Sequence, residues 1–298
     1  MESVIIRLMG GLGNQMFQYA TGYTVAKQLD VPLLLDRTFL DSRPKGMTWT
    51  PRSFELDVFQ LPITFASEKQ VVRMRRELDD RWYRSAKRVF PDLFPSKCFV
   101  ERGTGFDPAI FQCSAPVYLE GFWQNEGYFV SEANALRNTL FVLKRDLSEK
   151  NAALLSSIRS TRSASIHIRR GDYVTNSEAG RYHGACSVEY YTSSAALLVQ
   201  QHDVDHFFIF SDDPRWVKTN IHLPWPTTYV SHNHGSDTHW DLFLMKHCQH
   251  HIIANSSFSW WGAWLDPSPH KAVIAPAQWF KGTATPSSDI IPSTWIAR

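Results

Sequence analysis

Residues 163 to 173, SASIHIRRGDY, set a strand-like run of small and β-branched residues directly against a histidine, two adjacent arginines, a glycine and an aspartate. Side chains alternate along a strand, so His167 and Arg169 are expected on one face and Ile168 and Arg170 on the other. The two guanidiniums then have different chemistry open to them. Arg169, at the strand end beside His167, suits a two-pronged, charge-assisted grip on a diphosphate; Arg170 suits pairing with Asp172 or another carboxylate to fix the loop. The plain alternative is a surface salt bridge, but the end of an apolar strand is a costly place for idle charge. The Arg-Gly-Asp tripeptide at 170–172 also reads as an adhesion motif, which the absence of a signal-peptide pattern in MESVIIRLMGG disfavours.

Other strand ends carry polar groups of the same kind. Gly10, Gly11 and Gly13 lie between an apolar run and a helix, and Asp36 stands where a ribose-binding carboxylate would. A nicotinamide site is therefore one reading, although Met16 occupies the third glycine position of that fingerprint and no P-loop lysine follows. Asn14 and Gln15 add two amides at a helix start, suited to a phosphate or a sugar, with Gly11 allowing close backbone approach. Asn255, Ser256 and Ser257 precede an aromatic helix, where one hydroxyl is expected to cap the helix and the others to leave donors for a ligand. Asp241 opens an apolar helix as a dipole partner, or as an acceptor for the two N–H donors on a guanine edge. Asp212-Asp213-Pro214 looks like a divalent-metal site but is explained by Asp213 as a helix cap. His232, His234 and His239 have poor metal-ligand spacing. No metal or other cofactor is expected.

These residues need strands and helices in alternation to hold them. SVIIRL (3–8), a helix from about Met16 to Leu29 and VPLLLD (31–36) make one β-loop-α-β unit. Residues 37 to 110 are irregular. From 163 onward, strands at 163–168, 206–210, 227–230, 251–255 and 271–275 alternate with helices. The polar helical stretch 145–162 is the expected boundary, giving domains 1–155 and 156–298. In open α/β sheets ligands bind beyond the carboxyl ends of strands, where the polar groups above lie. Trp260, Trp261 and Trp264 are read mainly as helix packing. The segment 69–88 holds eight basic residues. It reads as a solvated helix face, with Val72, Leu78, Trp82 and Val89 as a buried stripe.

A chain of 298 residues, 43% hydrophobic and 20% charged, with a net charge of +2 and no basic tail, is a folded protein with no general nucleic-acid footprint. No apolar run is long enough to span a membrane, so no stable membrane insertion is expected. Cys98, Cys113, Cys186 and Cys248 have no paired spacing and read as reduced thiols. The expected location is the cytoplasm, with a peripheral place at an inner membrane left open.

Taken in order, RLMGGLGNQMFQYA (7–20), FELDVF (54–59), EGFWQNEGYF (120–129), HIRRGDY (167–173), SDD (211–213), DLFLMKHCQHHIIAN (241–255) and ANSSFSWWGAWL (254–265) resemble the bacterial α-1,2-fucosyltransferases of glycosyltransferase family 11 over essentially the whole chain. The resemblance implies an α/β fold of GT-B type, two Rossmann-like domains facing across a cleft. It also implies inverting transfer of L-fucose from GDP-β-L-fucose to the 2-hydroxyl of a galactose-terminated oligosaccharide, in O-antigen, capsule or glycan-mimic synthesis. The second domain would bind the donor. Arg169 would meet the β-phosphate and His167 with Asp241 the guanine; Asn14 would lie near phosphate and reacting sugar, and Ser256, Ser257 and Phe258 along the nucleotide. One departure is Gly127, where family members often carry lysine. The competing readings are a nicotinamide-dependent oxidoreductase using the Gly10–Gly13 loop and a non-catalytic sugar-binding protein, the latter suggested by eleven tryptophans.

Overall fold

The computed structural model describes residues 2–42, 51–90, 93–94, 96–171, 184–281 and 289–298. They form two units that divide between Val142 and Leu143, so the polar helix Glu149–Arg159 belongs to the second.

The first unit is built on four parallel strands, β1 (Val4–Arg7), β2 (Leu33–Asp36), β3 (Cys98–Val100) and β4 (Val117–Glu120), in the order β2-β1-β4-β3. β1 and β4 are the inner strands, and their unbroken apolar runs, Val4 to Ile6 and Val117 to Leu119, are buried, as strands covered on both faces require. Gly10, at φ +73°, turns the chain straight out of β1 into the helix Leu12–Gln28. The helix thus begins at Leu12 rather than Met16, and Asn14 and Gln15 lie inside its first turn.

The basic segment is two helices, Glu68–Asp79 and Arg81–Val89, because the Asp80 carboxylate accepts hydrogen bonds from the N–H groups of Trp82 and Tyr83 and caps a new start. The expected buried stripe does not form: Val72 already faces away from the core before the break, and Leu78 is half-buried. Val71 and Met74 face the core, while Val72, Trp82 and Val89 are 67%, 65% and 65% exposed.

The second unit has six parallel strands: β5 (Ser163–Ile168), β6 (His206–Ser211), β7 (Thr227–Val230), β8 (His250–Ile252), β9 (Val273–Ala275) and β10 (Ile296–Ala297), in the order β10-β9-β8-β5-β6-β7. β10, two residues long, gives no periodic signal, and it lies outside the strands expected from the sequence, as do β3 and β4 of the first sheet. On one face of the sheet Ala164, Ile166, Ile168, Phe207 and Ile209 pack with Tyr191, Ala195 and Leu198 of the helix Val188–His202. On the other, Phe208 and Phe210 pack with Leu155, Ile158, Leu244 and Met245. Each such burial stabilises by about 2 kcal/mol relative to exposure, which holds β5 rigidly at the centre of the sheet. Trp260, Trp261 and Trp264, on the helix Ser257–Trp264, are all buried.

Candidate active site

The strand alternation places the β5 residues as expected. Ser163, Ser165 and His167 share the face opposite Ala164, Ile166 and Ile168. Along that face Ser163 Oγ accepts from the Gln249 N–H at 3.4 Å, and Ser165 Oγ meets His251 Nδ1 at 2.9 Å, with His251 Nε2 3.2 Å from Asp266. This Ser-His-Asp chain lies inside the sheet, and it serves as a core polar tie. His167 differs from its neighbours: its Nδ1 is buried with no hydrogen-bond partner among the described residues. Its ring packs 5.6 Å from that of Phe258. Burial, with a smaller contribution from the Arg169 charge, pushes its pKa down to about 3 and keeps the imidazole neutral. A neutral imidazole held in this way presents one donor and one acceptor.

Beyond the strand, the pairing Ile168↔Ser211 brings the next residues, Arg169 and Asp212, side by side. Arg169 Nη1 lies 3.0 Å from Asp212 Oδ2, and Asp212 Oδ1 accepts from the Arg170 N–H at 2.9 Å. A Cβ at Gly171 would collide with this carboxylate, so glycine there is what lets Asp212 hold both arginines. Arg170 lies 3.7 Å above the Trp216 ring, with its Nε 3.6 Å from Asp213 Oδ2. Asp213 in turn caps the helix Pro214–Asn220 by accepting from the Trp216 N–H at 3.1 Å. Both aspartates of the metal-like pair are thereby engaged with the arginines and the cap. Asp172, the partner first considered for Arg170, lies outside the described residues.

Asp241 is buried on the helix His239–Met245, and burial raises its pKa to about 7 against the opposing hydrogen bond from Asn233. Asn233 Nδ2 donates to Asp241 Oδ1 at 2.8 Å and also approaches Asn151 Oδ1 at 3.1 Å; His232 Nε2 meets the same oxygen at 2.7 Å. His232 thus belongs to an amide network, and His239 Nδ1 lies 2.8 Å from the Ser236 carbonyl. Among the described residues no group of three His, Cys, Asp or Glu side chains is placed to hold a metal ion.

Asn255 and Ser256 depart from the capping expectation. Asn255 Nδ2 donates to the carbonyls of Gly184 (3.0 Å) and Trp279 (3.1 Å), and its Oδ1 is 3.6 Å from Cys186 Sγ, so this amide ties loops together. Ser256 occupies the N-cap position of the helix Ser257–Trp264 without making a side-chain cap. Ser257 and Phe258 open that helix half-buried.

At the carboxyl end of the first sheet most polar groups are closed on one another, although Arg7 Nε is buried with no hydrogen-bond partner among the described residues. Gln15 is fully buried; its Nε2 donates to the carbonyls of Gly10 (2.8 Å) and Ser53 (2.7 Å), and its Oε1 accepts from the Glu55 N–H (2.9 Å). Glu55 Oε2 accepts from the Leu12 N–H at 3.2 Å, which puts a carboxylate where a dinucleotide's pyrophosphate would need to be, beside Gly11. Asp36 is buried, accepting from the Tyr118 hydroxyl at 2.5 Å and the Thr38 N–H at 2.8 Å. Both anchors of a nicotinamide site are therefore taken. Asn14 Oδ1 accepts from Gln124 Nε2 at 2.7 Å, and a Cβ on Gly10 would strike the Asn14 amide. Gly127 has a related constraint: a Cβ there would lie 2.9 Å from both Asn125 Oδ1 and the Phe106 ring, so a lysine would need Phe106 to move.

The model of the family described as "Glycosyl transferase family 11" matches residues 2–297. The chain belongs to that family. This glycosyl transferase family 11 member is 36% identical over 304 residues to an alpha-1,2-colitosyltransferase of Escherichia coli, covering 99% of both chains. It is 30% identical over 319 residues to the Escherichia coli O-antigen biosynthesis glycosyltransferase WbnK, covering 97% of this chain and 98% of the relative. Among solved structures, a variant of Arabidopsis thaliana FUT1 in complex with GDP superposes with a TM-score of 0.50 at 11% identity, over 98% of this chain and 74% of that one. That likeness speaks for the fold, an α/β fold of GT-B type.

The residues missed in the sequence are the ones that hold others in place. Asp212 and Trp216 position the arginines, Asn233 and Asn151 position Asp241, and Glu55 blocks the helix start. Only SDD, a polar run at a strand end, carried a signal, and it needed the β5–β6 pairing to be read.

Proposed function

We propose that this family 11 glycosyltransferase moves L-fucose from GDP-β-L-fucose to the 2-hydroxyl of a terminal galactose with inversion, without a metal ion. The observation that carries the reading is the end of β5, where a buried, neutral His167 with an orphaned Nδ1 stands two residues before a guanidinium oriented by Asp212. As the bond from sugar C1 to the β-phosphate oxygen breaks, its electron pair moves onto GDP and positive charge grows on the ring. A guanidinium already fixed at the phosphate stabilises the negative charge that develops on the β-phosphate oxygen, more in the transition state than in the bound donor. The acceptor oxygen attacks C1 from the opposite face and gives its proton to a base or to water. In this reading Arg169 holds the β-phosphate, His167 and the Asp241 carboxylate read the guanine, and Ser256, Ser257 and Phe258 flank the nucleotide. Asn14 faces the reacting sugar. Arg170 supports the loop, and Gln15 and Asn255 act through the loops that they tie.

A second donor is favoured by one comparison, the alpha-1,2-colitosyltransferase at 36% identity. Colitose is fucose without its 3-hydroxyl, so the same guanine and phosphate contacts would serve either sugar. The test is incubation of the protein with GDP-fucose or GDP-colitose and lactose or N-acetyllactosamine in chelator, with the product linkage determined. An α-1,2-linked fucose product is expected. Preference for GDP-colitose would reassign the donor, absence of transfer from either would remove the enzymatic reading, and turnover lost only in chelator would overturn metal independence.

A further inference from the structure

The helix Arg81–Val89 stands apart from every other helix of eight residues or more among those described: none of its residues is buried. Its side-chain contacts run to the helix Glu68–Asp79 and to Phe94. Lys87 Nζ pairs with Glu77 at 2.9 Å, and Tyr83 faces the guanidinium of Arg76 at 5.8 Å and the ring of Phe94 at 5.2 Å. At helical spacing another side carries Trp82 and Val89, seven residues apart, with the Trp82 ring edge-on to Phe94 at 6.1 Å between centroids, and Phe90 and Leu93 continue it. Their exposures are 65%, 65%, 55% and 74%, a run of large apolar groups left in solvent. Beside this ridge, Arg81, Arg84 and Arg88 form an exposed basic edge, and RWYRSAKRVF (81–90) contains no acidic residue.

We propose that this helix is a docking surface for an anionic lipid bilayer, on which the protein lies peripherally. A tryptophan and aliphatic ridge flanked by arginines has the chemistry to enter the headgroup boundary while the guanidiniums meet lipid phosphates. The arrangement also accounts for the helix break. Asp80 starts a new helix and turns Trp82 and Val89 away from the core that Val71 and Met74 enter.

The test is sedimentation of the full-length protein with phosphatidylcholine vesicles, with and without about one third phosphatidylglycerol, at low salt. The protein is expected to pellet with the anionic vesicles and to be released by salt. Arg84→Glu with Arg88→Glu is expected to weaken partitioning by on the order of 10², and Trp82→Ser by about tenfold. Both variants should keep the wild-type circular dichroism and the wild-type transfer rate to a soluble acceptor, because these side chains support neither the core nor the strand ends. No pelleting of the wild type with anionic vesicles, or equal pelleting of the double variant, would overturn the proposal. Binding that follows charge but ignores Trp82→Ser would mark a polyanion site and overturn the lipid assignment.

Discussion

The carboxyl ends of the two sheets start from similar sequence: an apolar strand, a glycine, and a cluster of amides, acids and arginines. They differ in what the polar groups have left over. In the first unit Gln15, Asp36 and the Leu12 N–H are satisfied by Ser53, Tyr118 and Glu55, and Arg7 and Arg75 both pair with Glu120, with the buried Arg7 Nε left over among the described residues. In the second unit the His167 Nδ1 is orphaned, Asp241 is buried with its pKa raised, and Ser256 leaves its cap unmade. Buried polar groups cost free energy when unpaired, so the end that keeps His167 Nδ1 and Asp241 open is the stronger candidate for the nucleotide, and the Gln15 and Asp36 network of the other end is scaffold.

The largest effect should come from the open end. Arg169→Ala is expected to lower kcat/KM for fucosyl transfer by on the order of 10² or more, as for removal of a fixed transition-state donor. Turnover near that of the wild type would place the phosphate elsewhere. The closed end should answer in stability. Gln15→Ala strands the Gly10 and Ser53 carbonyls and the Glu55 N–H, with a cost of about 3 kcal/mol, read as a lower thermal midpoint. Its Kd for GDP, measured below the transition, should stay within about twofold of wild type; a selective loss of GDP affinity would make Gln15 a ligand contact and erase the contrast between the two ends.

Asp241 gives a pH signature. Its carboxyl titrates near 7 when folded and near 3.8 when unfolded, so the folded chain holds the proton more tightly. The stability from this group is full below pH 3.8 and is lost as pH rises from there to 7. In the proposed reading donor binding runs the other way, because the guanine edge would donate to the ionised form of Asp241. Affinity for GDP-fucose, whose diphosphate ester does not titrate in this range, should rise with pH by up to tenfold per unit and level off above 7, as calorimetry would read. His167, held near 3, adds nothing to that profile above pH 5, and Asp241→Asn should flatten it. The smallest effect is a thermal shift of a few degrees with GDP and none with NAD. A shift with NAD would mean that Glu55 and Asp36 can be displaced.

The competing readings fail for reasons visible only in three dimensions. The glycine loop resembles a dinucleotide turn until Glu55, 43 positions away, is found on the Leu12 N–H. The tryptophans suggest a sugar platform until Trp123, Trp240, Trp260, Trp261, Trp264, Trp279 and Trp295 are found buried, with Trp82 alone exposed among the described residues.

By itself the sequence determined the local facts. The apolar runs specified β1, β2 and five strands of the second sheet but not β3, β4 or β10, the period of two put His167 and Arg169 on one face, and Asp213 before Pro214 announced a helix cap. The motifs, in order, identified the family. Tertiary structure decided the partners, because they come from positions distant in the chain. Asp212 reaches Arg169 through strand pairing, Asn151 and Asn233 frame Asp241, and Asn255 ties loops instead of facing solvent. It also decided which apolar residues are buried. A single hydrogen-bonded cap at Asp80 rotates Trp82 and Val89 outward, and no periodicity taken across residues 69 to 88 could have located that break.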